Sequence, residues 1–241
     1  MEYQKFVKYI LHFFSYKLQM FIYFIYGNFK YKKSYSENGE DLILIKYFEN
    51  HNIKNGVYVD IGCFHPVWIS NTYLLHKKGW NGYAIDIDQQ KCKYFRLLRG
   101  DKCIVQCGAI TDKHSANRDI EVYKFQNAYS SIDTIDKNTA DLYRKNIGVE
   151  YKIEKVTSVF ICDYFVTLGK INLLNIDIEG LDELVLLNID LSVIDPEIIL
   201  FENNEIRGGS AEVKNHLNIH GYELLFISGG SICYSKKSLI K

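Results

Sequence analysis

The stretch Val57-Tyr58-Val59-Asp60-Ile61-Gly62-Cys63-Phe64-His65-Pro66 joins an apolar strand to a carboxylate near its end and to a glycine just beyond it. A second apolar strand, Gly82-Tyr83-Ala84-Ile85-Asp86, also ends in a carboxylate. Gly62 permits a tight turn beneath a ligand, and the Asp86 carboxylate can accept hydrogen bonds from both hydroxyls of a ribose. These two strands predict an α/β fold that binds a nucleoside.

The turn after the first strand lacks the glycine run of a pyrophosphate site. Dinucleotide-binding turns follow the pattern Gly-x-Gly-x-x-Gly, which lets backbone amides approach phosphates. Here Cys63, Phe64 and His65 occupy that space. The pattern therefore favours S-adenosylmethionine over NAD as the cofactor, and a nicotinamide-dependent oxidoreductase is the weaker alternative.

Further motifs make the prediction more specific. They are Ser36-Glu37-Asn38-Gly39-Glu40-Asp41, Ser70-Asn71-Thr72, Gly79-Trp80-Asn81-Gly82 and Asp177-Ile178-Glu179-Gly180. In order and spacing, these motifs resemble the FkbM family of S-adenosylmethionine-dependent methyltransferases, over roughly Tyr35 to Ile227. Two positions depart from the family pattern, which more often has glutamine at Glu37 and glutamate at Asp182. The resemblance implies O-methylation, frequently of sugars or polyketide-like small molecules.

Strands and helices alternate along the chain, as in βαβ units. We expect a class I methyltransferase fold: a Rossmann-like, doubly wound, seven-stranded sheet that is mostly parallel and ends in an antiparallel hairpin. The predicted strands are 57–61, Gly82–Asp86, Cys103–Cys107, Glu121–Phe125, Ile171–Ile176, Glu197–Phe201, Glu223–Ile227 and Ser231–Ser235. The predicted helices are Ser36–Asn50, Ser70–Lys78, Gln89–Arg99, Thr134–Asn146 and Ser210–His220, with Ala128–Ser131 as a loop.

Composition predicts one catalytic domain. The 241 residues are nearly half apolar and include only two prolines, and no Gly/Ser-rich linker divides them. We assign residues 35–241 to this domain, with 112–155 as an insertion that sets substrate specificity. The formal net charge is zero, which gives no support for a nucleic-acid partner. The six cysteines include no CxxC pair, and we expect reduced thiols in a cytoplasmic protein.

Residues 1–34 form a basic, aromatic segment that we expect to be helical. Its run from Phe6 to Tyr26 is long enough for a membrane span, but Lys8, His12 and Lys17 make a full crossing costly. An interfacial helix on the inner face of an anionic membrane is one interpretation. A helix that packs on the catalytic domain or on a second copy of the chain is the other, and the sequence leaves both open.

The cofactor residues should meet at one edge of the sheet, because ligands of open α/β sheets bind at the carboxyl ends of the strands. The cofactor-binding candidates are Asp60, Gly62, Asn71, Asp86, Gly108 and Ala109. We place Asp60 and Gly62 on the methionine and ribose side, Asp86 at the ribose hydroxyls, and Gly108 with Ala109 beside the adenine. In the alternative interpretation, Asp60 and Asp86 merely cap the helices that follow them.

The catalytic candidates are Asp177, Glu179 and His65. Either carboxylate could accept the proton of an acceptor hydroxyl, although burial or a metal would be needed to assist so weak a base. Asp177, Glu202 and Asn203 offer the oxygen ligands that Mg²⁺ prefers. His65 titrates near neutrality, but it is equally consistent with a turn residue satisfied by backbone groups.

The chain is rich in aromatic residues, and sugar faces pack on aromatic rings while carboxylates and amides bind hydroxyls. We therefore expect the acceptor to be a small molecule or glycan, such as a nucleotide sugar or a surface glycan precursor. An N-methyltransferase acting on an amino sugar and a non-catalytic nucleoside-binding module are the remaining alternatives.

Overall fold

The computed structural model describes residues 18, 21–22, 34–111, 117–160, 165, 168–202 and 209–237. The predicted helical segment at residues 1–34 lies almost entirely outside these ranges. Within them, none of the helices has both the length and the apolar character that a membrane crossing requires.

The described residues form ten strands. They are β1 (Val57–Ile61), β2 (Asn81–Asp86), β3 (Cys103–Cys107), β4 (Ala109–Thr111), β5 (Asp119–Phe125), β6 (Tyr151–Phe160), β7 (Leu173–Ile176), β8 (Ile198–Glu202), β9 (Tyr222–Ser228) and β10 (Ser231–Lys236).

Seven of these strands make one sheet, in the order β3-β2-β1-β7-β8-β10-β9. Every neighbouring pair is parallel except those of β10, which runs antiparallel to β8 and to β9. The strand order reverses between β1 and β7, so a crevice opens there at the carboxyl ends. The predicted class I methyltransferase fold, with its antiparallel hairpin at the end, is confirmed.

The described α-helices are α1 (Glu40–Asn50), α2 (Tyr73–Lys77), α3 (Gln89–Arg99), α4 (Lys137–Ile147), α5 (Asp182–Asn188), α6 (Leu191–Ile194) and α7 (Ala211–Ile219). The predicted start of the first helix at Ser36 is wrong. Gly39 precedes the helix in a left-handed conformation, and the Ser36 hydroxyl donates to the buried carboxylate of Asp41 at 3.0 Å. Asp41 also accepts from the backbone of Tyr35, so it fastens the chain before α1 to the helix itself.

Helices cover both faces of the large sheet. In β1, Val59 belongs to a buried cluster with Leu186 of α5 and Leu217 of α7. The neighbouring Tyr58 points to the opposite face and belongs to the cluster that contains Phe95 of α3. Side chains alternate along a strand, so a strand with apolar residues at successive positions requires a helix layer on each side.

The insertion folds as a second, smaller sheet in the order β4-β6-β5. Its long strand β6, at residues 151–160, is absent from the sequence-based prediction and continues past the predicted end of the insertion at 155. The expected loop at Ala128–Ser131 is a 3-10 helix that spans Asn127–Ile132. The expected helix at Thr134 begins instead at Lys137, after Asp136, whose carboxylate accepts from the backbone of Thr139.

The turn after β1 is held against the end of β7. Gly62 has a φ of 77°, and a Cβ at this position would lie 1.7 Å from the carbonyl oxygen of Asp177. The Gly62 amide donates to the carbonyl of Ile85 at 2.8 Å, and the Asp177 amide donates to the carbonyl of Ile61 at 2.9 Å. A glycine is therefore required here by the packing of two strand ends as well as by the turn itself.

Replacement of Gly62 by alanine tests this packing. We expect Gly62→Ala to cost more than about 3 kcal/mol of folding free energy, because backbone rather than a flexible side chain occupies the space. Gly148→Ala is the matched control, since Gly148 has a φ of 74° and nothing within 4 Å of the added Cβ. The control should cost only about 1–2 kcal/mol. Denaturant unfolding measures both variants, and equal losses would contradict the role of the Asp177 contact.

Candidate functional site

Two connected clefts lie at the carboxyl ends of the strands. The first cleft, with about 530 Å³ of free space, is lined by Asp86, Gly108 and Ala109. The second cleft, with about 900 Å³, is lined by Asp60 and Asn71. The residues that line both clefts are Gly62, Phe64, Ser131, Asp177 and Glu179. The two clefts therefore adjoin at the turn after β1.

Asp86 lies where a ribose carboxylate is expected, at the end of β2 and in the first cleft. It is buried, and it accepts from the backbone amides of Phe64 at 3.0 Å and Asp88 at 2.8 Å. The cap of the following helix is Asp88, which accepts from the amides of Gln90 and Lys91. The helix-capping alternative therefore applies to Asp88, and Asp86 retains lone pairs for a ligand.

The far wall of the first cleft is apolar and closely packed. Ile87 and Ile110 line it together with Gly108 and Ala109. A Cβ on Gly108 would lie 2.5 Å from Val159, so this glycine allows β6 of the insertion to approach the end of β3. A wall of small and branched apolar residues suits an adenine ring.

Asp60 lies in the second cleft and has polar partners inside the protein. Its carboxylate accepts from the Thr72 hydroxyl at 2.5 Å and from the Asn175 amide at 2.9 Å. Asn71 donates to the side-chain oxygen of Asn175 at 3.0 Å. Burial is the main cause that raises the pKa of Asp60 above its ordinary value. Asp60, Asn71 and Asn175 together form a polar wall of the second cleft.

His65 lines neither cleft. Its imidazole is fully buried, and its Nδ1 accepts from the backbone amides of Val67 at 3.1 Å and Trp68 at 2.9 Å. This geometry matches the alternative in which His65 is a turn residue satisfied by backbone groups. We therefore do not assign it the role of a base.

Three carboxylates meet beneath the second cleft. Asp177, Glu179 and Glu202 each place an oxygen within 4.8 Å of the others. Burial, followed by the charges of Glu202 and Glu179, raises the pKa of Asp177 well above its ordinary value. The predicted ligand Asn203 lies outside the described residues. Such a cluster can hold a proton or a hard cation, since oxygen atoms are the ligands that Mg²⁺ prefers.

The turn that carries Glu179 is held by the insertion. The phenol of Tyr143 in α4 donates a hydrogen bond to the Glu179 carboxylate at 2.5 Å. The Thr134 hydroxyl donates a hydrogen bond to the Glu179 backbone carbonyl at 3.2 Å. Glu179 has a φ of 55°, a left-handed conformation that is uncommon for a side chain of this kind. Asp182 supports the same turn by accepting from the amides of Ile178 and Gly180 at 3.3 Å.

Sequence reasoning did not identify several residues of the site. Asn175 is a polar residue inside an otherwise apolar buried strand, and that exception is a signal that could have identified it. Lys91 and Tyr143 carry no such signal, because each looks like an ordinary surface residue of a polar helix. Only the folded chain brings them to the two clefts.

The protein-family comparison matches residues 56–224 to the methyltransferase FkbM domain. No curated protein sequence matches the chain significantly.

Solved structures with a similar fold include three methyltransferases. A precorrin-6y C5,15-methyltransferase from Geobacter metallireducens GS-15 is 10% identical, with 86% of this chain and 91% of that chain covered and a TM-score of 0.41. A methyltransferase from Geobacter sulfurreducens is 9% identical, with 87% and 94% covered and a TM-score of 0.42. An O-methyltransferase from Bacillus cereus in complex with SAH is 9% identical, with 92% and 100% covered and a TM-score of 0.37.

Asp182 provides a test of the electrostatics of this site. Burial, followed by the charge of Glu202, raises the pKa of Asp182 to about 7. In the unfolded chain the pKa of Asp182 is about 3.9. Between about pH 4 and about pH 7 the unfolded chain loses this proton while the folded protein keeps it, so the free energy of unfolding falls as the pH rises. The cost is complete above about pH 7 and absent below about pH 4. The melting temperature of Asp182→Asn relative to wild type should therefore rise as the pH increases from about 5 to about 8.

Scanning calorimetry across this pH range measures the difference. Asp101→Asn is the control, because Asp101 is exposed. A difference in melting temperature between Asp182→Asn and wild type that stays constant with pH would contradict the raised pKa of Asp182.

Proposed function

Because the chain belongs to the FkbM methyltransferase family, whose methyl donor is S-adenosylmethionine, we propose that it methylates a hydroxyl of a sugar. The observation that carries the proposal is the shared edge of the two clefts. A donor in the first cleft and an acceptor in the second meet at Gly62 and Asp177, which line both. Methyl transfer requires such an in-line arrangement of two bound reactants.

The first cleft has the chemistry that the donor needs. We assign the ribose hydroxyls to Asp86 and the adenine to the apolar wall at Gly108 and Ala109. The methionine portion then extends toward Gly62, at the edge that the two clefts share. When bound, S-adenosylmethionine supplies a methyl group that is already activated on a sulfonium.

The second cleft suits a hydroxyl-rich acceptor. Its described lining contains five carboxylates and no lysine or arginine. The carboxylates are those of Glu37, Asp60, Asp177, Glu179 and Glu202. Together with the amides of Asn71 and Asn175, they can bind several sugar hydroxyls. An acceptor phosphate would be repelled here, so a nucleotide sugar would place its phosphates away from these carboxylates.

We assign the role of proton acceptor to Asp177. It lies where the two clefts join, and in its ionised form its raised pKa makes it a stronger base than an exposed aspartate. The bound donor would supply the methyl group and leave as a neutral thioether, and Asp177 would take up the proton of the acceptor hydroxyl. Tyr143 holds Glu179 beside this carboxylate through its phenol.

As an alternative to the metal-free role of Asp177, we propose that Asp177, Glu179 and Glu202 hold Mg²⁺; Asp177 would then be an ionised ligand and not the proton acceptor. The predicted ligand Asn203 stays a prediction. A cation there would lower the pKa of a bound hydroxyl and so assist its deprotonation.

N-methylation of an amino sugar is the second candidate function. The five carboxylates of the second cleft would attract an ammonium group. The carboxylate cluster could then take up the proton that the ammonium must lose before its nitrogen attacks.

The proposed function is tested with isotope-labelled S-adenosylmethionine. The purified protein is incubated with neutral sugars, nucleotide sugars and amino sugars, each with Mg²⁺ and with EDTA. Label in a methyl ether supports O-methylation, and label in a methylamine supports the second candidate. Loss of transfer in EDTA, with recovery in excess Mg²⁺, supports the metal site. Binding of the donor without transfer to any acceptor would favour a non-catalytic module.

The proposed division of labour predicts opposite effects for two aspartates. Asp86→Asn should weaken binding of S-adenosylhomocysteine about tenfold, because one acceptor of a ribose hydroxyl becomes a donor. Asp177→Asn should leave that affinity nearly unchanged and reduce turnover on the order of 100-fold. Calorimetry and label transfer provide the two measurements, and equal effects of both variants on both quantities would refute the division.

A further inference from the structure

Lys91 is a buried lysine on the first turn of α3, and its side chain lines the first cleft. Its ammonium donates to the carbonyl of Ser130 at 2.6 Å. It lies 3.4 Å from a carboxylate oxygen of Asp133 and 3.7 Å from one of Asp86. A buried ammonium is costly unless it is paired, so its position between two carboxylates indicates a specific role.

The ammonium connects two different parts of the protein. Asp86 belongs to the end of β2, whereas Ser130 and Asp133 belong to the insertion. Asp133 itself accepts from the backbone of Phe125 in β5 at 2.8 Å, so it is anchored independently of Lys91. Lys91 therefore has an anchored carboxyl group on the insertion side and the candidate ribose carboxylate on the other.

Phe64 closes the arrangement from the turn after β1. Its amide donates to Asp86, and its ring centroid lies 5.4 Å from the Lys91 ammonium. Asp86 is thus surrounded by two backbone donors and one positive charge. The Lys91 ammonium therefore lies between the carboxyl groups of Asp86 and Asp133.

We propose that Lys91 is a positioning residue for the methyl donor: it holds Asp86 in place toward the ribose hydroxyls, and it ties the insertion to the first cleft. The inference rests on the proposed assignment of Asp86 to the ribose. Lys91 makes no methyl-transfer step itself. It acts through Asp86, so its effect on donor binding should depend on the presence of that carboxylate.

A double-mutant cycle tests this dependence. The variants are Lys91→Met, Asp86→Asn and the combination of the two, and the measurement is calorimetric affinity for S-adenosylhomocysteine. We expect Lys91→Met to weaken binding about tenfold in the wild-type background and less than about threefold in the Asp86→Asn background. The same factor in both backgrounds, or no effect in the wild type, would overturn the proposal.

Three further measurements separate positioning from mere folding. Lys93→Met is the matched control, because Lys93 is exposed on the same helix and should leave the affinity unchanged. Lys91→Gln keeps a donor for Ser130 without the charge, and it replaces Lys91→Met in the cycle should the methionine variant fail to fold. The wild type should bind S-adenosylhomocysteine more tightly than its 2′-deoxy analogue, and this difference in affinity should disappear in both Lys91 variants. An unchanged difference would indicate a structural role only.

The outcome is distinguishable from failure of the proposed function. Absence of S-adenosylhomocysteine binding to the wild type would overturn both the donor assignment and the role of Lys91. Wild-type binding that is insensitive to Lys91 would overturn only the present inference.

Discussion

The contact between Gly62 and the carbonyl of Asp177 is the constraint on which the site depends. It brings the turn after β1 against the end of β7, at the point where the strand order reverses. Backbone hydrogen bonds to Ile85 on one side and from Asp177 to Ile61 on the other hold the turn in place. The donor cleft and the candidate base therefore share one wall, and their relative position depends on backbone rather than on flexible side chains.

A buried polar network extends this rigidity to the loop that follows. Arg99 donates to the carbonyl of Pro66 at 2.7 Å and to the hydroxyls of Tyr58 and Ser70 at 2.9 Å each. Thr72 then donates to Asp60 in the wall of the second cleft. The N–H groups of this buried guanidinium have hydrogen-bond acceptors, so the network can orient the cleft at a smaller desolvation cost.

The insertion supplies the other side of both clefts. Lys91 is tied to it through Ser130 and Asp133, and Glu179 is tied to it through Tyr143 and Thr134. Residues of both clefts thus contact the same insertion, through its 3-10 helix and α4.

Much of the fold follows from local patterns in the sequence. Apolar strands that end in Asp60 and Asp86, with a glycine after the first, are sufficient to predict the parallel sheet and the place of its crevice, because parallel strand ends meet at one edge. The extent of α3 was also predicted correctly, because local features mark its ends. Asp88 caps its first turn, and Gly100 follows its last residue. The early start predicted for α1 failed because Gly39 adopts a left-handed conformation just before the helix, and Ser36 contacts Asp41 of the first turn from outside the helix.

By itself, then, the sequence determined the fold class, the family resemblance and the strand-end carboxylates, since these depend on residues close together in the chain. Tertiary structure alone decided which of the candidate residues share a cleft. It placed His65 in a turn, gathered Glu179 with Asp177 and Glu202, and added Lys91 to the lining of the first cleft. Such groupings depend on burial and on contacts across many residues, and no local pattern of side chains encodes them.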